Sequence, residues 1–381
     1  MTLLELSEKL ERLVDRLPGP IRKPLLREIT PVKDLFLRQR PPKLLLLGSR
    51  GIEKEKLINA LFDCEVALPD PTEVGAGSWQ SFSHAGRGTL QCLDARNIAH
   101  LNRIKSSLGT QMPDLAIFLN AELEALSAEM MESADTILQI VVNRQESIPP
   151  LIGVVGLEQT GENKERDSIK ALQNWLRSKP NLERSLTKTL AVCLEPESLP
   201  QGVNPRECER RVKIDLLAEA ITLSLPDDAK LEMARLSGVR SAQVHIAKIL
   251  TRSISAISGA IGAQPIPLAD FPILTSLQAT LVAGIMYVSG REVNVKLAAE
   301  FITALGANIS VGLVFREGAR AMLKFFPGWG NAISGAIASA GTYAIGRSAA
   351  AYFIEGTSLP GARKLFRRGT KSAIEKKRQD R

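Results

Sequence analysis

Residues 44–62, LLLLGSRGIEKEKLINALF, constrain this chain more than any other stretch. Four consecutive leucines read as a strand buried on both faces, Gly48 opens a glycine-bearing turn, and a helical pattern starts at Lys54. Strand, tight turn and helix together form the frame of a phosphate-binding loop, whose template is G-x-x-x-x-G-K-[ST]. On that template Gly48 takes the first position, Gly51 falls on a loop position that is often glycine, and Lys54 takes the lysine. Glu53 stands where the second glycine belongs, and Glu55 replaces the hydroxyl residue. The frame is present, and its chemistry is altered at two of four positions.

Each replacement has a physical cost. The second glycine lets backbone N–H groups close around phosphates with no side chain between, and Glu53 puts a bulky anion there. The hydroxyl of an intact loop coordinates magnesium. Glu55 has a carboxylate that could reach a metal, yet it repels the triphosphate it would help to hold. One like-charge contact near 4 Å costs roughly 4 kcal/mol at an effective dielectric of about 20. Lys54 offsets one such charge, not two.

With its continuation LINALF, the stretch resembles the Era-like branch of bacterial small GTPases. The resemblance implies further motifs downstream. A D-x-x-G motif should end the third strand, where residues 90–97 read LQCLDARN. Asp94 matches the aspartate that touches magnesium through water, and Asn97 replaces the glycine that contacts the γ-phosphate. The guanine-reading N-K-x-D should follow PLIGVV (150–155), but Gly156, Leu157, Glu158 and Gln159 match none of it. A rival, Asn143-Arg144-Gln145-Glu146, sits in the helical periodicity of Met131, Ala134, Ile137, Leu138, Val141 and Val142. The stretch 114–122 resembles the strand that leads to an aspartate in this family, here replaced by Asn120. Thr72 and Ser78 both compete for the switch-I threonine. The resemblance covers residues 42–225 by order of elements and is specific in motif only over 44–62. It implies GTP and magnesium as ligands, and the altered positions argue against both. What survives is a remnant site of Gly48, Gly51, Lys54 and Asp94, with no catalytic residue and no metal site assigned.

The expected architecture is an α/β P-loop sheet, G-domain-like, with helices on both faces, followed by an all-α C-terminal domain. Strands are expected at 43–47, 79–83, 88–93, 114–120, 150–155 and 187–194, and helices at about 54–63, 123–145, 164–178 and 207–223. Four segments result: an N-terminal helical arm and linker (1–41), the degenerate GTPase-like domain (42–225), an Ala/Gly-rich helical domain (226–361) and a basic tail (362–381). The arm carries an amphipathic pattern over 2–17, with Leu3, Leu6, Leu10, Leu13 and Leu17 on one stripe. Its mixed charge, six acids and nine bases over residues 1–40, favours packing on protein. Glu5, Glu8 and Glu11 interrupt the leucines, so no cleavable signal is expected. Four cysteines without C-x-x-C spacing and three histidines point away from zinc and toward reduced thiols in a cytoplasmic compartment.

Beyond Leu225-Pro226 charges become sparse. Residues 271–290 and 325–346 are charge-free runs of 20 and 22 residues, long enough to be weighed as bilayer spans. Gly330, Ser334, Ala338, Thr342, Gly346 and Ala350 recur at i, i+4, a face that lets another helix approach closely in a membrane or in a soluble bundle. The phrases AQPIPLADFPILTSLQATLVAGI (263–285), Gly290-Arg291 and GTYAIGRSAAAYFIEG (341–356) carry a second resemblance. They are similar to the helical domain of unknown function that follows Era-like G domains in bacteria, some of whose members are inner-membrane proteins. This match spans roughly 235–356 and implies no chemistry.

The tail holds nine Lys/Arg against Glu375 and Asp380, most of the chain's net charge of +8. Such an end binds an anionic membrane surface or stays a solvated tail, and the lack of aromatic platforms other than Phe366 weighs against nucleic acid. Three functional readings follow. The first is a non-catalytic scaffold or regulatory protein of the GTPase family, docked at or inserted in the cytoplasmic membrane through its helical domain. The second is an active GTP hydrolase with divergent motifs. The third is a soluble interaction protein whose helical domain self-associates as a homo-oligomer.

Overall fold

The computed structural model describes residues 38–67, 75–122, 125–145, 148–157, 162–194, 205–263, 270–306 and 330–379. The amphipathic arm at 2–17 and Thr72 lie outside them. The described residues divide into two compact units, one of Arg40–Ala242 and one that begins at Gln243 and also takes in Arg38 and Gln39.

The unit from Arg40 to Ala242 is built on six strands: β1 (Lys43–Gly48), β2 (Trp79–His84), β3 (Gly88–Asp94), β4 (Leu115–Ala121), β5 (Leu151–Leu157) and β6 (Leu186–Cys193). Their order is β2-β3-β1-β4-β5-β6, with β2 antiparallel to β3 and the other neighbours parallel, which is the sheet of a G domain. β1 lies inside the sheet between β3 and β4, so Leu44 to Leu47 are all buried, which is why the strand is leucine on both faces. The edge strand β2, WQSFSH, is largely polar and half exposed, with Trp79 packed against the core.

Helices cover both faces. They are α1 (Lys54–Phe62), α2 (Leu101–Thr110), α3 (Ala128–Gln145), α4 (Glu162–Arg177), α5 (Pro180–Ser185), α6 (Pro205–Ser224) and α7 (Asp227–Ser237). Leu45, Leu47, Ala116 and Phe118 share one core with Ile104 and Leu108 of α2, Ile137 and Val141 of α3, and Leu172 and Leu176 of α4. α6 packs on β6 and α1, and α7 packs on β3. The observed strands end within two residues of the expected bounds. α2 and α5 were not expected. Only Ile104 and Leu108 of α2 are buried, too short a stripe to stand out, and α5 has six residues.

α7 is tied to the sheet by charge. Arg40 forms a bidentate pair with Asp114, both bonds 2.7 Å, and its Nε donates to Asp228 at 2.7 Å. The Glu232 carboxylate accepts the Thr89 N–H at 2.8 Å, and Arg235 donates to the Gly86 carbonyl at 3.2 Å. The helix just past the change in composition is therefore bound to the hairpin of β2 and β3.

The second unit contains α8 (Arg240–Gly262), whose first turn holds the dividing point, α9 (Asp270–Val288), α10 (Val295–Gly306), α11 (Gly330–Phe353) and α12 (Leu359–Gln379). α11 and α12 form a hairpin across Gly356, and the bare Cα of Gly369 lets α12 approach Ala344. Gly346 faces Thr251 of α8 and Leu281 of α9 at a distance that leaves no room for a Cβ, and Gly335 meets Gly259 in the same way. Part of the small-residue face thus serves helix–helix packing inside a bundle. Leu277, Leu281, Val282, Ile285, Met286 and Val288 of α9 are buried there. Among the described residues no helix is long and apolar enough to cross a membrane. The basic segment continues as helix to Gln379.

Candidate functional site

The turn between β1 and α1 has the backbone of a phosphate-loop frame. Gly48 has φ +99°, a conformation that favours glycine, and a Cβ there would overlap the Leu119 carbonyl of β4. The next amide, Ser49 N–H, donates to that same carbonyl at 2.7 Å, which pins the loop to the sheet. Gly51 is exposed, and its N–H donates to Ser49 Oγ at 3.0 Å. α1 then begins after Glu53, whose side chain makes no capping bond.

Lys54 and Glu55 are both buried, at 7% and 8% exposure, and their side chains pair with each other at 2.8 Å. The lysine that a phosphate would attract is thus neutralised by its own neighbour. At the end of β3 a second pair repeats the arrangement. The Arg96 guanidinium donates Nε to Asp94 Oδ1 at 2.9 Å and Nη2 to Oδ2 at 2.8 Å. Its Nη1 donates to the Ser49 carbonyl at 3.0 Å and the Ile52 carbonyl at 2.5 Å. A cation of the protein itself therefore sits against the loop, and two loop carbonyls, which would repel a phosphate, point at it.

The electrostatics of the pair agree with its geometry. Burial alone would raise the Asp94 pKa, but the hydrogen bonds and charge of Arg96 outweigh it and hold the carboxyl below its usual value. For Arg96 burial opposes the charged form, and Asp94 in turn overrides it. Burial pushes the nearby Cys92 thiol up, so it offers no thiolate nucleophile.

Around these pairs lies a cavity of about 140 Å3 lined by Arg50, Glu53, Lys54, Glu55, Ala76, Asp94, Arg96 and Asn97. Three cations and three carboxylates line it, so it has no excess of positive charge for a triphosphate. It is smaller than the roughly 300 Å3 at which small-molecule pockets begin. A neighbouring cavity of about 200 Å3 includes Leu47, Gly48, Arg50, Arg96 and Asn97 in its wall. Of the remnant site, Lys54 and Asp94 face the first cavity and Gly48 the second, while Gly51 lines neither. Among the described residues no cluster of His, Cys, Asp and Glu is arranged to hold a metal.

The other motif positions have structural roles. Asn97 caps the short 3-10 turn Ile98–His100, its Oδ1 accepting the Ala99 N–H at 3.0 Å. The Ile52 side chain sits where a Cβ on Gly156 would fall, so an apolar group fills the space between the loop and the end of β5. Asn143 lies within α3 and is exposed, as the helical periodicity indicated. Sequence reasoning missed Arg96. Its signal was available: a basic residue two positions after an aspartate, inside the motif that should hold magnesium.

No family model matches the sequence, and no curated protein matches it. Solved structures do. Toc33 from Arabidopsis thaliana in complex with GDP and Mg2+ is 14% identical with a TM-score of 0.36, over 59% of this chain and 95% of that one. Era in complex with MgGDPNP and nucleotides of 16S ribosomal RNA is 14% identical with a TM-score of 0.32, over 58% of this chain and 68% of that one. A member of an oligomerised bacterial dynamin pair, described as sensing and tethering membranes, is 10% identical with a TM-score of 0.30, over 97% of this chain and 71% of that one. These are similarities at low identity, and the G-domain assignment rests on the strand order and directions.

Proposed function

We propose that this chain is a non-catalytic protein built on a G domain, acting as a scaffold or regulatory protein that docks at a membrane surface through its helical unit. One observation carries the loss of nucleotide chemistry: Arg96, paired with Asp94, donates to two carbonyls of the loop that would otherwise close around phosphates. The Lys54–Glu55 pair supports it, because a phosphate would have to break a buried contact to reach the lysine. Docking is supported by the positive charge and the exposed apolar side chains of the helical unit.

Calorimetric titration with Mg-GTP tests the nucleotide part. The protein should give no saturable heat, and GTP hydrolysis should match buffer. Micromolar binding that Lys54→Ala abolishes would overturn this reading. Replacing Glu53 by Gly, Glu55 by Ser and Arg96 by Gly together should create measurable phosphate affinity, since each change removes a named obstruction.

A further inference from the structure

Between residues 243 and 381 the chain has seventeen basic and seven acidic residues, whereas residues 40–242 have twenty-four and twenty-eight. The positive charge is therefore concentrated in the helical unit, and most of it lies on α12. Ala362, Phe366 and Thr370 of that helix are buried, and Arg363 Nε is held by the Ala304 carbonyl of α10 at 2.7 Å. The opposite side presents Lys364, Arg367 and Arg368, all exposed. Among the described residues none of these three is ion-paired. Lys371, Lys376, Lys377 and Arg378 follow on the same helix, with Glu375 the one acid among them.

Apolar side chains accompany the charge. Leu365 is 38% exposed between Lys364 and Arg367, and the two helices that pack on α12 each expose one more, Leu297 of α10 at 42% and Tyr343 of α11 at 44%. A lone exposed leucine is ordinary on a solvated surface, so the cluster of unpaired cations carries the argument and Leu365 adds to it. An amphipathic helix lying in a lipid interface uses both, because the cations meet anionic headgroups while the apolar groups enter the boundary of the acyl chains. A single-stranded nucleic-acid surface would call for stacking aromatics, and Tyr343 is the sole exposed large aromatic among the described residues.

From this placement we infer that the exposed face of α12, centred on Lys364, Leu365, Arg367 and Arg368, is a docking surface for an anionic lipid bilayer. The inference rests on the reading of the helical unit as the docking module and adds which face docks and to which lipid charge.

The test is co-sedimentation of the full chain with vesicles of phosphatidylcholine alone and of phosphatidylcholine with phosphatidylserine, at low and high salt. The protein should partition onto the anionic vesicles only, and high salt should release it. Replacing Lys364, Arg367 and Arg368 with Gln should weaken partition about 100-fold, at roughly fivefold for each charge. Leu365→Ser should weaken it with the salt dependence kept. Far-UV circular dichroism and a thermal melt confirm that the variants fold, which their exposure favours. Equal binding to both vesicles, or a triple variant that binds like the parent, would overturn the assignment of this face. Tighter binding to a random-sequence RNA than to the anionic vesicles would overturn it in favour of nucleic acid. If cell membranes retain the triple variant as they retain the parent, the docking role of the unit stands and this face alone is wrong. If the parent binds no membrane at all, the docking role itself fails.

Discussion

At the scale of single residues, Arg96 decides the chemistry of the site. It has acceptors on two sides, the Asp94 carboxylate and the carbonyls of Ser49 and Ile52, and its guanidinium has donors in the geometry to meet both. Arg96→Ala leaves a buried carboxylate and two carbonyls without their donor, and it should cost about 3 kcal/mol in urea unfolding. Asp94→Asn in the same chain should recover part of that loss, giving a double-mutant coupling on the order of 2 kcal/mol. The pair also sets an acid limit. The Asp94 pKa is depressed in the folded protein, so the unfolded chain binds its proton first as pH falls. The stability it contributes is complete at neutral pH, begins to fall near the unfolded value of about 4, and is lost as pH passes through the folded value. Asp94→Asn should flatten the stability–pH curve in that range. A curve unchanged by the substitution would mean that the ion pair does not form.

At the scale of elements, glycines fix how the helices of the bundle meet and end. Gly290, with φ +85°, closes α9 while the Arg291 N–H donates to the Met286 carbonyl at 3.1 Å. The Arg291 guanidinium then lies 5.1 Å from the Phe353 ring centroid, and Phe353 packs on Phe301 and Tyr352. The Gly290-Arg291 pair singled out in the sequence thus has a packing role. Within α11, Gly346 and Gly341 give a matched comparison. A side chain at Gly346 meets Thr251 and Leu281, whereas nothing lies within 4 Å of a Cβ at Gly341. Gly346→Val should destabilise by about 1–3 kcal/mol through overpacking. Gly341→Ala should be neutral or stabilising by up to ~1 kcal/mol, because alanine is the better helix former. Thermal melts of the two variants check the close approach: equal effects would mean that α8 and α9 do not pack on α11 at Gly346.

At the scale of the whole molecule, charge and chemistry are separated along the chain. The sheet unit has slightly more acids than bases and holds the filled site, while residues after 243 carry the excess of positive charge. Within the described residues, the charge-free runs that suggested bilayer spans fall on α9 and α11, where Leu277, Leu281, Val282, Ile285 and Met286 of α9 and Ala344 and Ile345 of α11 are buried in the bundle. Membrane fractions washed with high salt and then alkaline carbonate should therefore release the protein at the salt step, since a surface contact is screened and an inserted helix is not. Retention through both washes would mean insertion.

The sequence by itself determined the six strands and the longer helices between them, though not α2 or α5, because a parallel sheet buried on both faces needs near-continuous apolar runs and a long helix shows its 3.6-residue period. Leu44 to Leu47, the strand expected at 150–155 and found at 151–157, and the helical stripe from Met131 to Val142 were legible for that reason. The changes at Glu53, Glu55 and Asn97 were also legible as departures from a template. What replaces the lost chemistry was not. Arg96 and Ser49 are 47 residues apart, and only the parallel pairing of β1 with β3 brings the end of one strand beside the start of the loop. The partner of Lys54 was its sequence neighbour, yet a helix does not by itself turn consecutive side chains toward each other; burial of both closes that pair. The small-residue stripe of α11 was readable as a contact face, but its occupants, Thr251 and Leu281, come from helices decided by the packing of the bundle. Periodicity is a local property and survives in the sequence, whereas which charge meets which carbonyl is fixed by contacts between residues far apart in the chain.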